Sequence, residues 1–203
     1  MAISYQFNKI AMQQLRAQLK MRQTALPVLK SKEAALRVTI QKQKDELKEL
    51  KAQLQNRLDA LRKDVGLWAE FPLEIFELKN VEVGVKKVAG VKTPLLQNLE
   101  YGIAYFSRFA GANWLAFGIV ELKELTELLS QVEVAEKRLS ILEYSLKKTT
   151  QKVNLYEKVQ IPEYNDAILR IKRYLEDVDN LEKSAQKITK SKQAAEAAGA
   201  GAA

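Results

Sequence analysis

The chain has 203 residues, with 33 Lys+Arg against 25 Asp+Glu, a formal net charge of +8, and neither Cys nor His. Those two zeros exclude a disulfide framework, a Cys/His zinc site, a thiol nucleophile and a Ser–His–Asp relay. Gly (8) and Pro (4) are too few for a loop-rich or all-β protein, and 29% charged with 47% hydrophobic residues is not the composition of a disordered chain.

The first twenty residues carry Lys9, Arg16 and Lys20 and do not read as a signal peptide. From there a narrow apolar stripe runs through Leu15, Leu19, Leu26, Leu29, Leu36, Ile40, Leu47, Leu50, Leu54, Leu61, Val65 and Trp68. Its gaps of three and four residues are the a/d seam of a coiled coil, narrower than the apolar face of a helix lying on a globular core. No Gly interrupts residues 1–65, and Pro27 is the lone Pro there. At the usual rise such a helix of some 60 residues is roughly 90 Å long.

Residues 69–111 read differently. Val81, Val83 and Val85 alternate with Glu82, Gly84 and Lys86, the period of a half-exposed strand, and Gly90 and Pro94 punctuate the segment. A small β-hairpin at about 74–92 is expected, with Val81, Val83, Val85, Val88 and Gly90 as a partner-binding surface. The aromatics Tyr101, Tyr105, Phe106, Phe109, Trp114 and Phe117 concentrate just beyond it and are expected to plug the end of the coil. The apolar run Ala110–Val120 is too short to span a bilayer, which takes roughly 18 residues or more.

A second seam runs Val132, Ala135, Leu139, Leu142, Leu146, Thr149, Val153 and Tyr156, then slips by about one residue near Pro162. It resumes at Ile161, Tyr164, Ile168, Ile171, Leu175, Val178, Ala185 and Ile188. Two seams on one chain fold back most simply on each other. The expected fold is therefore mainly α: a long antiparallel two-helix coiled coil with a small β-hairpin and short helical region at its closed end. The expected divisions are 1–68, 69–111, 112–192 and a flexible low-complexity tail, 193–203. If Trp68 lies level with about residue 120, Pro27 falls near Pro162 and the two share a bend.

The charge is uneven. Residues 1–68 hold 14 basic and 6 acidic residues, residues 69–111 hold 5 of each, and residues 112–203 hold 14 of each, so the net +8 lies on the first helix. With the two ends of the chain together, Lys9, Arg16, Lys20 and Arg22 join Lys187 and Lys190 in a basic tip. Such a tip suits an acidic protein surface. Nucleic acid fits poorly, since no HTH, RNP or zinc pattern accompanies the charge, and membrane insertion fits poorly for want of a broad apolar face. No P-loop and no Gly-x-Gly-x-x-Gly after a strand occurs, and the carboxylates are spread along heptad flanks, so neither an enzyme nor a cofactor is expected.

Three motifs in order carry a family resemblance. Lys152-Val-Asn-Leu-Tyr-Glu-Lys-Val-Gln-Ile-Pro-Glu-Tyr164, with Val153, Asn154, Glu157, Ile161 and Pro162 as the matching positions, resembles the C-terminal helix of the D subunit of V-type and A-type rotary ATPases. Leu26-Pro-Val-Leu-Lys-Ser-Lys32 is similar to that family's N-terminal helix, and Val88-Ala-Gly-Val-Lys-Thr-Pro94 to its hairpin. The resemblance implies a non-catalytic central rotor shaft that couples ATP hydrolysis or synthesis to ion transport. It implies as partners the catalytic and non-catalytic head subunits, the F subunit and a funnel subunit above the membrane ring. It also implies a cytoplasmic place at the membrane periphery. The alternative is a non-enzymatic coiled-coil adaptor.

Overall fold

The computed structural model describes residues 4–105 and 114–200. In chain order it has helix α1 (Lys9–Leu61), a 3-10 turn, helix α2 (Val65–Ala69), strands β1 (Phe76–Val88) and β2 (Val91–Ile103), helix α3 (Leu115–Asn154), a π-helical turn (Leu155–Gln160) and helix α4 (Ile161–Ala200). The fold is mainly α, helix pairs plus one antiparallel hairpin. The chain divides into two compact units, one of residues up to Lys30 with those from Gln151 onward, the other Ser31–Thr150.

In the first unit, α1 begins where the Asn8 carboxamide oxygen accepts the Ala11 N–H at 2.6 Å, satisfying a donor that the helix leaves free. Its seam buries Leu15 against Tyr164, Ala167 and Ile171 of α4, with Met12, Leu19, Ile168 and Leu175 at the margin. Phe7 stacks on Tyr174, ring centroids 5.1 Å apart. Beyond that point α4 runs on alone: residues 181–195 are all exposed, Leu181 and Ile188 included. The apolar seam expected to continue through Ala185 and Ile188 therefore stops near Val178 among the described residues. Helix extends through the alanine-rich stretch to Ala200, in keeping with the high helix propensity of alanine.

The phase slip expected at Pro162 is a real discontinuity, the π turn just before it. Pro162 brings no N–H and its ring crowds the carbonyl four residues back, and a widened turn relieves both. Tyr164 meets Gln18, and Gln160 meets Arg22, across the pair. Pro162 thus faces the region of Lys20, about seven residues or two turns away from Pro27. The two prolines are offset along the pair rather than level. Pro27 stays inside an unbroken α-helix.

In the second unit, Leu36, Ile40 and Leu142 form one buried cluster and Leu47, Val132 and Ala135 another. Cross-pairs Lys44–Glu143 at 2.9 Å, Lys51–Glu136 at 2.7 Å and Arg57 with Glu121 and Glu124 flank the seam and fix its register. Trp68 stacks edge-on against Trp114, not level with residue 120 as the seam alone suggested, and Phe71 joins them. With Leu115 and Ile119 these form the aromatic cluster of this unit. Phe106 and Phe109 lie outside the described residues.

The hairpin is longer than the sequence suggested. Its second strand takes in residues 93–103, pairing Val85 with Pro94 and Val81 with Leu99 through two bulges. Pro94 hid this strand, yet a two-stranded sheet leaves each strand one free edge, where a missing donor is tolerated. Ala89 and Gly90 turn the chain with φ of 49° and 75°, the left-handed pair that a tight two-residue hairpin needs.

Candidate functional site: exposed faces of the coil and hairpin

Among the described residues no group of His, Cys, Asp and Glu is placed to hold a metal ion, and no helix is long and apolar enough to cross a membrane. The candidate sites are therefore surfaces.

The structure divides the expected basic tip. Lys9, Arg16 and Lys20 are exposed on α1 and make no ion pair among the described residues. Lys187 and Lys190 are also exposed, but on the solitary end of α4, about 20 Å along the helix from Tyr174, where Phe7 packs. They do not lie beside Lys9–Arg22. Arg22 is different again. It is half-buried, its Nε–H donates to Gln160 Oε1 at 2.7 Å, and its guanidinium lies 4.5 Å from the Tyr164 ring centroid. Sequence alone shows a basic residue there and gives no sign that it is already occupied. Beside this stretch an apolar groove of about 770 Å³, lined by Ala17, Met21, Thr24 and Val28, is flanked by Lys20 and Lys152.

The pairing also refines where positive charge is available. In the second unit Lys44, Lys51 and Arg57 are matched by carboxylates of α3. The sequence up to Lys30 has no acid at all, and among the described residues Lys30 is the cation of that stretch with an ion pair, to Glu157 at 2.6 Å. Lys9, Arg16 and Lys20 are thus exposed cations without an ion pair among the described residues.

The hairpin residues separate in the same way. Val81, Val83 and Val85 are 38%, 48% and 71% exposed, so their exposure rises toward the turn, while Val88 is half-buried. Ala89 and Val91 rest on the Leu36–Ile40–Leu142 cluster, and Gly90 sits near the Lys32 ammonium. The turn is thus docked on the coil rather than presented outward, and the valine row of β1 is what remains open. Arg138 secures the arrangement: Nε–H donates to the Pro94 carbonyl at 3.1 Å and a terminal N–H to Gln43 Oε1 at 2.9 Å. No feature of the sequence singled out Arg138 or Thr93, which is fully buried and donates to the Lys86 carbonyl. Between β2 and the helices a cleft of about 470 Å³ is lined by Glu46, Leu99, Tyr101, Glu127 and Arg138. Burial there, and then the Glu127 charge, raise the Tyr101 phenol above its ordinary value.

The family-motif residues gather at the π turn. Val153 is buried just before it, Asn154 precedes it, Glu157 within it holds Lys30, and Ile161 and Pro162 follow.

Paired helices with a docked hairpin and with charged and apolar faces open define a coiled-coil protein. The chain belongs to the ATP synthase D subunit family, whose model matches residues 11–191. It is 28% identical over 182 residues to the V-type ATP synthase D subunit of Chlamydia pneumoniae, covering 87% of each chain. Identity to the protein of the same name from Borreliella burgdorferi is 29% over 176 residues, covering 86% of this chain and 87% of the relative. Against that from Chlamydia felis it is 28% over 209 residues, covering 96% and 95%.

Proposed function

We infer that this chain is the central-stalk component of a V/A-type ATP synthase, a non-catalytic rotor shaft that couples ATP hydrolysis or synthesis in the head to ion transport through a membrane ring. The observation that carries the reading is the family match running through both long helices and the hairpin. A rod that turns inside a three-fold head must show a different face to each site, and the exposed faces described above differ in charge and polarity around and along the helices. Lys9, Arg16 and Lys20, without an ion pair among the described residues, are the residues that meet carboxylates of the catalytic and non-catalytic head subunits. The open valines of β1, Val81, Val83 and Val85, face a stalk neighbour, with the F subunit and the funnel subunit as the partners in that region. The protein works on the cytoplasmic side, peripheral to the membrane.

The test is an affinity purification of the tagged chain from its native lysate, with the co-purifying proteins identified by mass spectrometry. Nucleotide-binding head subunits are expected in excess over the bait. Recovery of copies of the bait alone would replace the shaft by a self-associating coiled-coil adaptor.

A further inference from the structure

The phase of the α3–α4 seam changes by one residue, and the structure shows where that residue goes. After Val153, gaps of three and four lead to positions 156, 160 and 163, yet the buried side chain is Tyr164, followed by Ala167 and Ile171. The π turn Leu155–Gln160 absorbs the extra residue: the Ile161 N–H donates to the Tyr156 carbonyl, five residues back. A single inserted residue carried as a bulge leaves the helices on either side in α geometry. Asn154 and Ile161, which bracket it, both have ordinary helical dihedrals.

None of the turn's six residues is buried, and Tyr156 and Gln160 are half-buried. What holds it is polar. The Arg22 guanidinium spans it, donating to Gln160 at its end, lying 5.9 Å from the Tyr156 ring near its start and 4.5 Å from the Tyr164 ring just beyond. A second Arg22 donor is tied back to the Gln18 carbonyl at 3.1 Å, and the Tyr164 hydroxyl donates to the Gln18 side chain at 2.6 Å. The Lys30–Glu157 pair is about half-exposed on both sides and adds little. One planar cation therefore touches the beginning, the end and the far side of the only π turn among the described residues. Removing the bulge would turn the helix after it by roughly 100° relative to the helix before it, so that Arg22 could no longer reach Tyr156 and Tyr164 together.

We propose that the Leu155–Gln160 turn is a twist-compliant joint and that Arg22 is the positioning residue that locks it, rather than a cation reserved for a partner's carboxylate. Taking up torque between rotary steps is the use such a joint has in a shaft, and that use alone rests on the rotor reading. The lock itself is a property of the chain.

Hydrogen–deuterium exchange of the full-length chain, read by mass spectrometry, tests it without any partner. Arg22→Ala should speed exchange of the amides of residues 155–162 about tenfold, the loss of one charge-assisted hydrogen bond and its ring contacts. Peptides from the Leu36–Leu47 region should be unchanged. Arg22→Lys should behave like Arg22→Ala, because an ammonium cannot fork to Gln160 while stacking on the rings. Deleting Val159, which is exposed on the turn, should return the segment to α geometry and slow its exchange even beside Arg22→Ala. Unchanged exchange in Arg22→Ala, or full protection kept by Arg22→Lys, overturns the lock. Failure of the Val159 deletion to slow exchange overturns the joint. Failure of the rotor reading would appear instead in the affinity purification and leave these results standing.

Discussion

Arg22 and Lys20 stand two residues apart in one basic stretch, and their surroundings separate them: Lys20 is open to solvent while Arg22 is spent on its own chain. The same distinction runs through other side chains. Tyr101 reads in the sequence as one of the aromatics plugging the end of the coil, but it is half-buried at the cleft beside β2, with Lys123 5.7 Å from its ring. Because folding raises its pKa, the folded state keeps the phenolic proton that the unfolded chain releases near pH 10.0. Its contribution to stability is complete below that pH and is lost as pH rises through the folded-state value. Tyr101→Phe should remove a late step from the phenolate absorbance titration; a titration unchanged by Tyr101→Phe would contradict the assignment. Leu142 has no exposed surface, nor does its neighbour Leu36. Leu142→Ala should cost about 2–5 kcal/mol in denaturant unfolding, the range for emptying a packed site. A loss below about 1 kcal/mol would mean that the helices close over the gap.

At the scale of elements, the hairpin is the part whose role depends most on packing. The sequence reads it as a small hairpin at the closed end of the coil that offers a partner-binding surface. Its outer valines stay open, while its turn covers Leu36, Ile40 and Leu142 and its second strand is tied to α3 through Arg138. Replacing residues 77–102 with a short Gly/Ser linker should preserve the helical circular dichroism signal, since the helices carry their own seam. It should also lower the melting temperature, because Ala89 and Val91 no longer shield the cluster. A collapse of helicity would make the hairpin a condition of folding. The helices themselves were largely legible: the a/d spacing predicts both, and the break before Pro162 announced itself as a one-residue slip. Strand β2 was not, because Pro94 reads as a terminator unless the outer edge of the sheet is known to be free. Nor was the end of the seam legible, since Ile188 keeps the heptad spacing and lacks only a partner.

For the whole molecule, charge and family point to one use. Net charge places +8 on residues 1–68; α3 carboxylates pair with Lys44, Lys51 and Arg57, while Lys9, Arg16 and Lys20 have no ion pair among the described residues. Replacing these three with Ala should leave the chain as stable as before, because none makes a contact that folding depends on. In the assembled ATPase the same variant should turn over more slowly or assemble less completely, and the deficit should shrink as salt is raised, since screening already weakens the wild-type contact. Hydrolysis and coupling equal to wild type at low salt would count against a head-facing role for this stretch.

The sequence by itself determined the mainly helical class, the two seams, the slip at Pro162, the strand period of Val81–Val85 and the family. These rest on local periodicity and on motifs, which are properties of the chain's order. Tertiary structure decided which cations are already matched, which valines stay open, how far the helices run side by side and what fixes the π turn. Those depend on contacts such as Arg22 with Gln160 and Arg138 with Pro94, 138 and 44 residues apart along the chain. No pattern of spacing along one helix encodes which residue of the other will face it. Only the register of the packed pair does.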